Sequence, residues 1–88
     1  MVIRVSGTLL RFTDYQKEIR VEAPTLKDGI SRLVEQFPEV GKSLFDTTGQ
    51  IRASHKLFVN GVQIGKADVG RRVADEDVVD IVTAVTGG

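Results

Sequence analysis

The residues of this sequence that are best suited to chemistry are the last five, Ala84-Val85-Thr86-Gly87-Gly88. Glycine loses the most backbone entropy on ordering and has no side chain to bury, so a Gly-Gly pair adds little to a core. The pair does make the chain narrow, because neither residue has a Cβ atom. Five extended residues span at most about 16–18 Å. A frayed terminus is the structural alternative. The functional interpretation is a tail that carries the Gly88 carboxylate into a neighbouring active site, with Gly87 needed for threading.

Other kinds of chemistry have few residues to support them. The sequence has no cysteine, which excludes disulfides, thiolate metal ligands and a nucleophilic or redox thiol. Its single histidine, His55, cannot form a metal site alone, so we expect no metal and interpret His55 as a strand-edge or surface residue.

Length and composition indicate one small domain. With 88 residues the chain can form a single core and has little room for an internal cavity. Twelve basic and twelve acidic side chains balance, which argues against a nucleic-acid partner. No apolar run approaches the ~20 residues of a membrane span, and the first residues lack a signal-peptide pattern. We therefore expect a cytoplasmic protein with no membrane partner.

The first part of the chain predicts a β-hairpin followed by a helix. Residues 2–12 form a broken alternating strand interrupted at Gly7, a polar break follows at 13–16, and residues 17–22 alternate strictly. Thr25 is placed to cap a helix that Pro38 ends. One apolar stripe of that helix faces the core and consists of Leu26, Ile30, Leu33, Val34 and Phe37.

The remainder predicts further strands. Residues 39–54 are expected to contact the core through a short helical turn carrying Val40, Leu44 and Phe45, followed by a loop. A strand over 56–61 ends in Asn-Gly, which favours a tight turn into a brief strand at 62–64. The last strand covers residues 77–82.

This order of elements predicts an α+β fold of the ubiquitin-like β-grasp type. One main helix packs across a mixed sheet of four or five strands, and the first and last strands lie side by side and parallel, joined by a long connection. We expect a β-grasp domain over residues 1–83 and a flexible Gly-Gly tail over 84–88.

Several stretches resemble the ThiS/MoaD-type ubiquitin-like sulfur carriers. In that family a strand ending in VN(G/D) precedes a DGDxVxIxPAVAGG-like close. The matching stretches here are Leu57-Phe58-Val59-Asn60-Gly61, Val73-Ala74-Asp75-Glu76-Asp77-Val78-Val79-Asp80-Ile81-Val82, and Ala84-Val85-Thr86-Gly87-Gly88. The helix opening Thr25-Leu26-Lys27 is also similar, so the resemblance covers essentially the whole chain. Two residues depart from the pattern: Glu76 where the turn often has Gly, and Thr83 where many members have Pro.

The resemblance implies a protein cosubstrate and not an enzyme. An E1-like adenylating partner would use ATP to convert the Gly88 carboxylate to an acyl adenylate, and a sulfur donor would then displace AMP to leave a thiocarboxylate. A second partner, a biosynthetic enzyme, would accept the sulfur. On this interpretation the chain itself binds no cofactor, and its part is positioning.

The partner surface is expected on the sheet. If Leu57 and Val59 face the helix, Phe58 faces out, and Val78 and Val82 face out beside it. Together with Val85 and Thr86 of the tail, these residues form the predicted docking surface. The alternatives are that residues 39–54 cover this face, or that the register is shifted by one residue, which would reverse every assignment. Two charged clusters, Arg71-Arg72 and Asp75-Glu76-Asp77, supply rim contacts or are simply solvated.

Three functions remain open from the sequence. The tail serves a sulfur carrier or a ubiquitin-like modifier that forms isopeptide bonds through Gly88, and a plain β-grasp interaction module would leave the tail inert. The acceptor is also open and includes a molybdopterin precursor, which would make the chain a molybdopterin synthase small subunit, a thiazole precursor, an activated amino acid for cysteine synthesis, or another metabolite.

Overall fold

A computed structural model of the chain describes residues 1–83, and residues 84–88 lie outside the described part. The strands are β1 (Val2–Val5), β2 (Glu18–Arg20), β3 (His55–Val59), β4 (Val62–Ile64) and β5 (Val78–Thr83); the helices are α1 (Leu26–Gln36) and α2 (Pro38–Leu44), with short 3₁₀ helices at Gly7–Phe12 and Lys66–Gly70.

The five strands form one mixed sheet in the order β2-β1-β5-β3-β4. The first and last strands pair in parallel, with Val2 opposite Val78 and Val5 opposite Ile81. The other three pairings are antiparallel. The predicted ubiquitin-like β-grasp topology is therefore confirmed, including the parallel pairing of the first and last strands, and the last strand lies at the centre of the sheet. The boundary between a domain of residues 1–83 and a tail of 84–88 stays a prediction.

The first strand is shorter than the sequence pattern indicated. It ends at Val5, and residues 7–12 form a 3₁₀ helix that buries Leu9 completely. Gly7 begins this change of direction with φ of +63°, a left-handed conformation that favours glycine. The predicted turn over 13–16 contains two non-glycine residues with positive φ, Asp14 and Tyr15. The strand prediction failed here because the alternation is broken after Gly7, and Leu9 and Phe12, three residues apart, share one side of a 3₁₀ helix, which has three residues per turn.

Helix α1 begins where the sequence predicts. The Thr25 hydroxyl accepts a hydrogen bond from the Asp28 amide at 3.2 Å, as expected of an N-cap. Leu26, Ile30 and Leu33 are buried, and the rest of the predicted stripe packs partly buried against the core. Helix α1 lies on one face of the sheet, which confirms its role as the main helix.

The segment after α1 is more helical than expected. Pro38 ends the first helix and also occupies the first turn of the second, where its missing N–H costs nothing. The predicted short helical turn is a seven-residue helix, α2, whose Val40 and Leu44 are fully buried. These two residues fix residues 38–44 to the core.

The turn between β3 and β4 forms as predicted. Asn60 and Gly61 both have positive φ, 51° and 84°, and the flanking Val59 and Val62 pair with each other. Two successive positive φ values are the requirement of a type I′ hairpin turn, which is why Asn-Gly is favoured there. Within residues 1–83, neither helix is long and apolar enough to span a membrane.

The two faces of β5 provide a direct test of this register. Ile81 is fully buried, whereas its neighbour Val82 is 37% exposed. We expect Ile81→Ala to lower the free energy of unfolding by about 2–5 kcal/mol through lost burial and a cavity. Val82→Ala, the matched control, is expected to change it by less than about 1 kcal/mol. Urea denaturation of both variants measures the difference, and equal losses would contradict the register described here.

Candidate functional site

The predicted tail begins at the end of the central strand. Strand β5 is hydrogen-bonded to β1 on one edge and to β3 on the other, and its last residue, Thr83, pairs with His55. The structure thus places Thr83, the residue before the predicted tail, at the end of the central strand. The other predicted site residues of the tail, Val85, Thr86, Gly87 and Gly88, lie outside the described residues, so their roles stay predictions.

The expectation for His55 was wrong. It is the first residue of β3, an inner strand, and it is only 3% exposed. Its Nε2 lies 3.0 Å from the Ser43 carbonyl oxygen, and its Nδ1 lies 3.3 Å from the Thr83 hydroxyl. Because a carbonyl oxygen can only accept, Nε2 carries a proton. The alternation of β3 was the available signal, since His55, Leu57 and Val59 are two residues apart and share the buried face; the hydrogen-bond partners, which come from α2 and β5, were not predictable from local sequence.

The three predicted docking residues of the sheet share one face, which we call the outer face. Leu57, Val59, Val79 and Ile81 are buried on the α1 side. The alternate residues Phe58 and Val78 are partly exposed, and Val82 is 37% exposed. The predicted orientation is therefore confirmed, and within residues 1–83 the 39–54 segment packs with the helices on the other side, where Val40 and Leu44 enter the core.

A charge pair crosses the outer face between these apolar residues. Asp80 lies opposite Arg4 on β1 and opposite Phe58 on β3. Two parallel hydrogen bonds join the pair, from Arg4 Nε to Asp80 Oδ1 at 2.6 Å and from Arg4 Nη2 to Oδ2 at 2.8 Å. The hydrogen bond to Asp80 and its charge raise the pKa of Arg4. Sequence reasoning missed this pair, although both residues occupy outward positions of the two strands predicted to be neighbours.

The surface surrounding Asp80 is therefore amphipathic. Val78 and Val82 flank Asp80 two residues away on the same strand, and Phe58 lies beside it. A bidentate Arg–carboxylate pair has a fixed geometry, so it adds orientation to an otherwise apolar patch. Small apolar patches with polar groups at fixed positions are typical of transient protein contacts.

The acidic cluster before β5 has a structural member. Asp77 accepts hydrogen bonds from the Ala74 amide at 2.8 Å and the Asn60 side-chain amide at 3.0 Å. Asn60 in turn accepts from the Val78 amide at 2.9 Å. These contacts tie the β3–β4 turn to the start of β5. They lower the pKa of Asp77, through the Ala74 amide first and Asn60 next.

Metal chemistry has no support among the described residues. Residues 1–83 contain no cluster of three or more His, Asp or Glu side chains arranged to hold a metal ion. A groove of about 510 Å³ lies beside α1 and has Phe45, Ile51 and Val69 among its lining residues. None of the predicted site residues lines this groove.

The fold and the residues at the end of β5 define a class, a ubiquitin-like β-grasp protein with a Gly-Gly sequence after its central strand. The ThiS family model matches residues 3–88. The chain therefore belongs to the ThiS family. Comparison with curated protein sequences gave no match.

Solved structures support the fold assignment. SAMP1 from Haloferax volcanii is similar with a TM-score of 0.86 at 20% identity, covering 99% of this chain and 97% of that one. CysO from Mycobacterium tuberculosis is similar with a TM-score of 0.83 at 24% identity, covering 96% and 98%. The BexX/CysO complex from Amycolatopsis orientalis gives 0.84 at 18% identity, covering 99% and 98%. At these identities the likeness shows a shared fold.

The Asp77 contacts predict a specific pH dependence. The pKa of Asp77 is lowered in the folded protein, so its carboxylate stabilises the fold above the ordinary Asp pKa of about 3.9, and this contribution is lost as the pH falls through the folded-state pKa. Asp77→Asn is expected to be less stable than the natural chain at neutral pH. We expect the difference to shrink progressively at pH values below about 4.

Urea unfolding midpoints measured from neutral to acid pH test this expectation. Asp46 also has a lowered pKa, caused first by the Thr48 hydroxyl, and it loses its contribution in the same acid range in both proteins. The comparison between variant and natural chain therefore isolates Asp77. Asp75→Asn is the matched control, because the Asp75 side chain makes no hydrogen bond within residues 1–83. A stability difference independent of pH would contradict the assignment.

Proposed function

We propose that this protein is a sulfur carrier whose working atom is the carbonyl carbon of Gly88. The observation that supports the proposal most strongly is that the ThiS family match extends through residue 88 and so includes both glycines. On this proposal the chain is a protein cosubstrate, and an E1-like adenylating enzyme supplies the catalysis.

The proposed chemistry has two steps. The Gly88 carboxylate attacks the α-phosphorus of ATP, so that pyrophosphate leaves and an acyl adenylate forms. A sulfur nucleophile, in its simplest form hydrosulfide, then attacks the Gly88 carbonyl carbon, and AMP leaves with the bonding electron pair. Loss of the thioacid proton gives the thiocarboxylate, whose sulfur can pass to an electrophile held by a second enzyme. ATP and the sulfur donor are substrates of the partner enzyme.

The folded body contributes positioning in this proposal. Docking a body through its outer face turns the reaction of the tail into an effectively intramolecular one, which raises the local concentration of the Gly88 carboxylate. Phe58, Val78 and Val82 supply the apolar contact, and the Arg4–Asp80 pair supplies fixed polar groups beside them. The structural neighbours include the BexX/CysO complex, which is a complex of two proteins.

A second candidate function is protein modification through Gly88. One structural neighbour is the small archaeal modifier protein 1 of Haloferax volcanii, at 18% identity and a TM-score of 0.84. The same acyl adenylate serves both functions, so they differ only in whether sulfur or a lysine amine receives the acyl group. Gly88-linked conjugates in lysates of the source organism would favour modification, and a thiocarboxylate without conjugates would favour the carrier.

Intact-mass measurement tests the carrier proposal. We expect incubation with ATP, a sulfide source and the cognate adenylating enzyme to raise the mass of the chain by the difference between one sulfur and one oxygen atom. A chain lacking Gly87 and Gly88 is the control. Its mass should not change, because its terminal carboxylate is two residues too short to reach the active site. An unchanged mass with each adenylating enzyme of the source organism would contradict the proposal.

The outer face predicts a separate kinetic effect. Phe58→Ala is expected to raise the KM for the adenylating enzyme by about fivefold or more, because truncating a central aromatic contact weakens docking. Val62→Ala is the matched control. Val62 is 66% exposed, but it pairs with Val59 and so lies on the α1 side of the sheet and not on the outer face. Pyrophosphate release measured against carrier concentration separates KM from kcat. Equal KM values for the two variants would contradict docking through the outer face.

A further inference from the structure

The last residue of β5 is held by a hydrogen-bond chain that the proposed function does not use. Thr83 pairs directly with His55 across the sheet, and its hydroxyl lies 3.3 Å from His55 Nδ1. With Nε2 protonated toward the Ser43 carbonyl, the Nε2–H tautomer has its acceptor nitrogen at Nδ1, and in that tautomer the Thr83 hydroxyl is the donor. The chain of contacts therefore runs from α2 through a buried imidazole to the end of β5.

A glycine closes the other side of Thr83. A Cβ atom built on Gly7 would lie 3.2 Å from the Thr83 Cβ, closer than such atoms normally approach, and Gly7 has φ of +63°. This position therefore favours glycine for two reasons, the close approach of Thr83 and the left-handed backbone conformation. We call Gly7, Ser43, His55 and Thr83 together the tail socket.

The burial of His55 makes its hydrogen bond with Thr83 costly to lose. His55 is 3% exposed, so its two ring nitrogens must find partners in the protein, and every buried side-chain nitrogen or oxygen within residues 1–83 does have one. Removing the Thr83 hydroxyl leaves Nδ1 buried without a donor. A buried group without its partner costs more than the hydrogen bond itself contributes.

We propose that the tail socket fixes the point and direction in which residues 84–88 leave the domain, so that His55 and Thr83 act as positioning residues for adenylation. The consequence for adenylation rests on the function proposed above, whereas the anchoring of Thr83 does not. Strand ends fray when few contacts hold them. Fraying of β5 by two residues would lengthen the free tail and lower the local concentration of Gly88 at a docked active site.

The kinetic test compares variants of Thr83 in the full chain. Thr83→Val removes the hydroxyl and keeps the branched shape, Thr83→Ser keeps the hydroxyl, and Thr47→Val makes the same chemical change at an exposed loop position. The probe is an adenylating enzyme that passes the intact-mass test. We expect Thr83→Val to lower kcat about three- to tenfold with KM within about twofold of the natural chain, because docking is intact and presentation is not.

The remaining variants make the result decisive. Thr83→Ser and Thr47→Val are expected to keep kcat near that of the natural chain. A Thr83→Val kcat within about twofold of the natural value overturns the proposal. His55→Gln, which can still donate to Ser43 but offers no ring nitrogen to Thr83, is expected to reproduce the Thr83→Val effect and covers the case in which Thr83→Val folds poorly.

A nuclear magnetic resonance experiment on the free chain separates this proposal from the proposed function. In the natural chain we expect His55 to show a protonated Nε2 and a hydrogen-bonded Nδ1, and we expect the Thr83 amide to exchange as slowly as its β5 neighbours. In Thr83→Val the Nδ1 signal should move toward that of an unbonded nitrogen and residue 83 should exchange faster. If no enzyme adenylates the natural chain, the proposed function fails but the anchoring of Thr83 does not. Unchanged amide exchange at residue 83 in Thr83→Val would overturn the anchoring by the tail socket.

Discussion

The rest of the structure depends on the parallel pairing of β1 with β5. Parallel strands cannot be joined by a tight turn, so residues 6–77 must cross from one end of the sheet to the other, and they supply α1, α2 and the β3–β4 hairpin on the way. The pairing leaves β5 between β1 and β3, where both edges are hydrogen-bonded. Thr83, the residue before the predicted tail, therefore belongs to the central strand of the sheet.

The same pairing gives the two faces of the sheet different roles. Strand alternation sends Val79 and Ile81 into the core beneath α1 and sends Val78, Asp80 and Val82 to the outer face. Because the helices cover one face only, the outer face needs no core residues, and substitutions there cost little stability. The Arg4–Asp80 pair fits this division, since an exposed ion pair contributes little to folding but gives a surface a fixed pattern of charge.

The sequence was sufficient to predict the topology and the features that depend on nearby residues. The Thr25 cap, the Asn60-Gly61 turn and the alternation of β3 and β5 each follow from a local pattern, and the order of elements then leaves few ways to close the sheet. Features that depend on distant contacts were not predictable in the same way. The 3₁₀ helix after Val5 is coupled to a close approach to Thr83, and the hydrogen-bond partner of the buried His55 Nε2 is a carbonyl of α2. Both errors lie at the end of β5, where three separate parts of the chain meet.

The location of those contacts suits the carrier function proposed above. A tail bound to its own domain would be withheld from partners, and ordering each further residue costs about 1–2 kcal/mol of backbone entropy. A tail released too early would search a larger volume, because the reach of the chain grows by about 3.3–3.6 Å for each added residue. On that proposal, anchoring the chain at Thr83 limits the reach of the five residues that follow it to at most about 16–18 Å. The body would then limit where the Gly88 carboxylate can go, and the partner enzyme would carry out the chemistry.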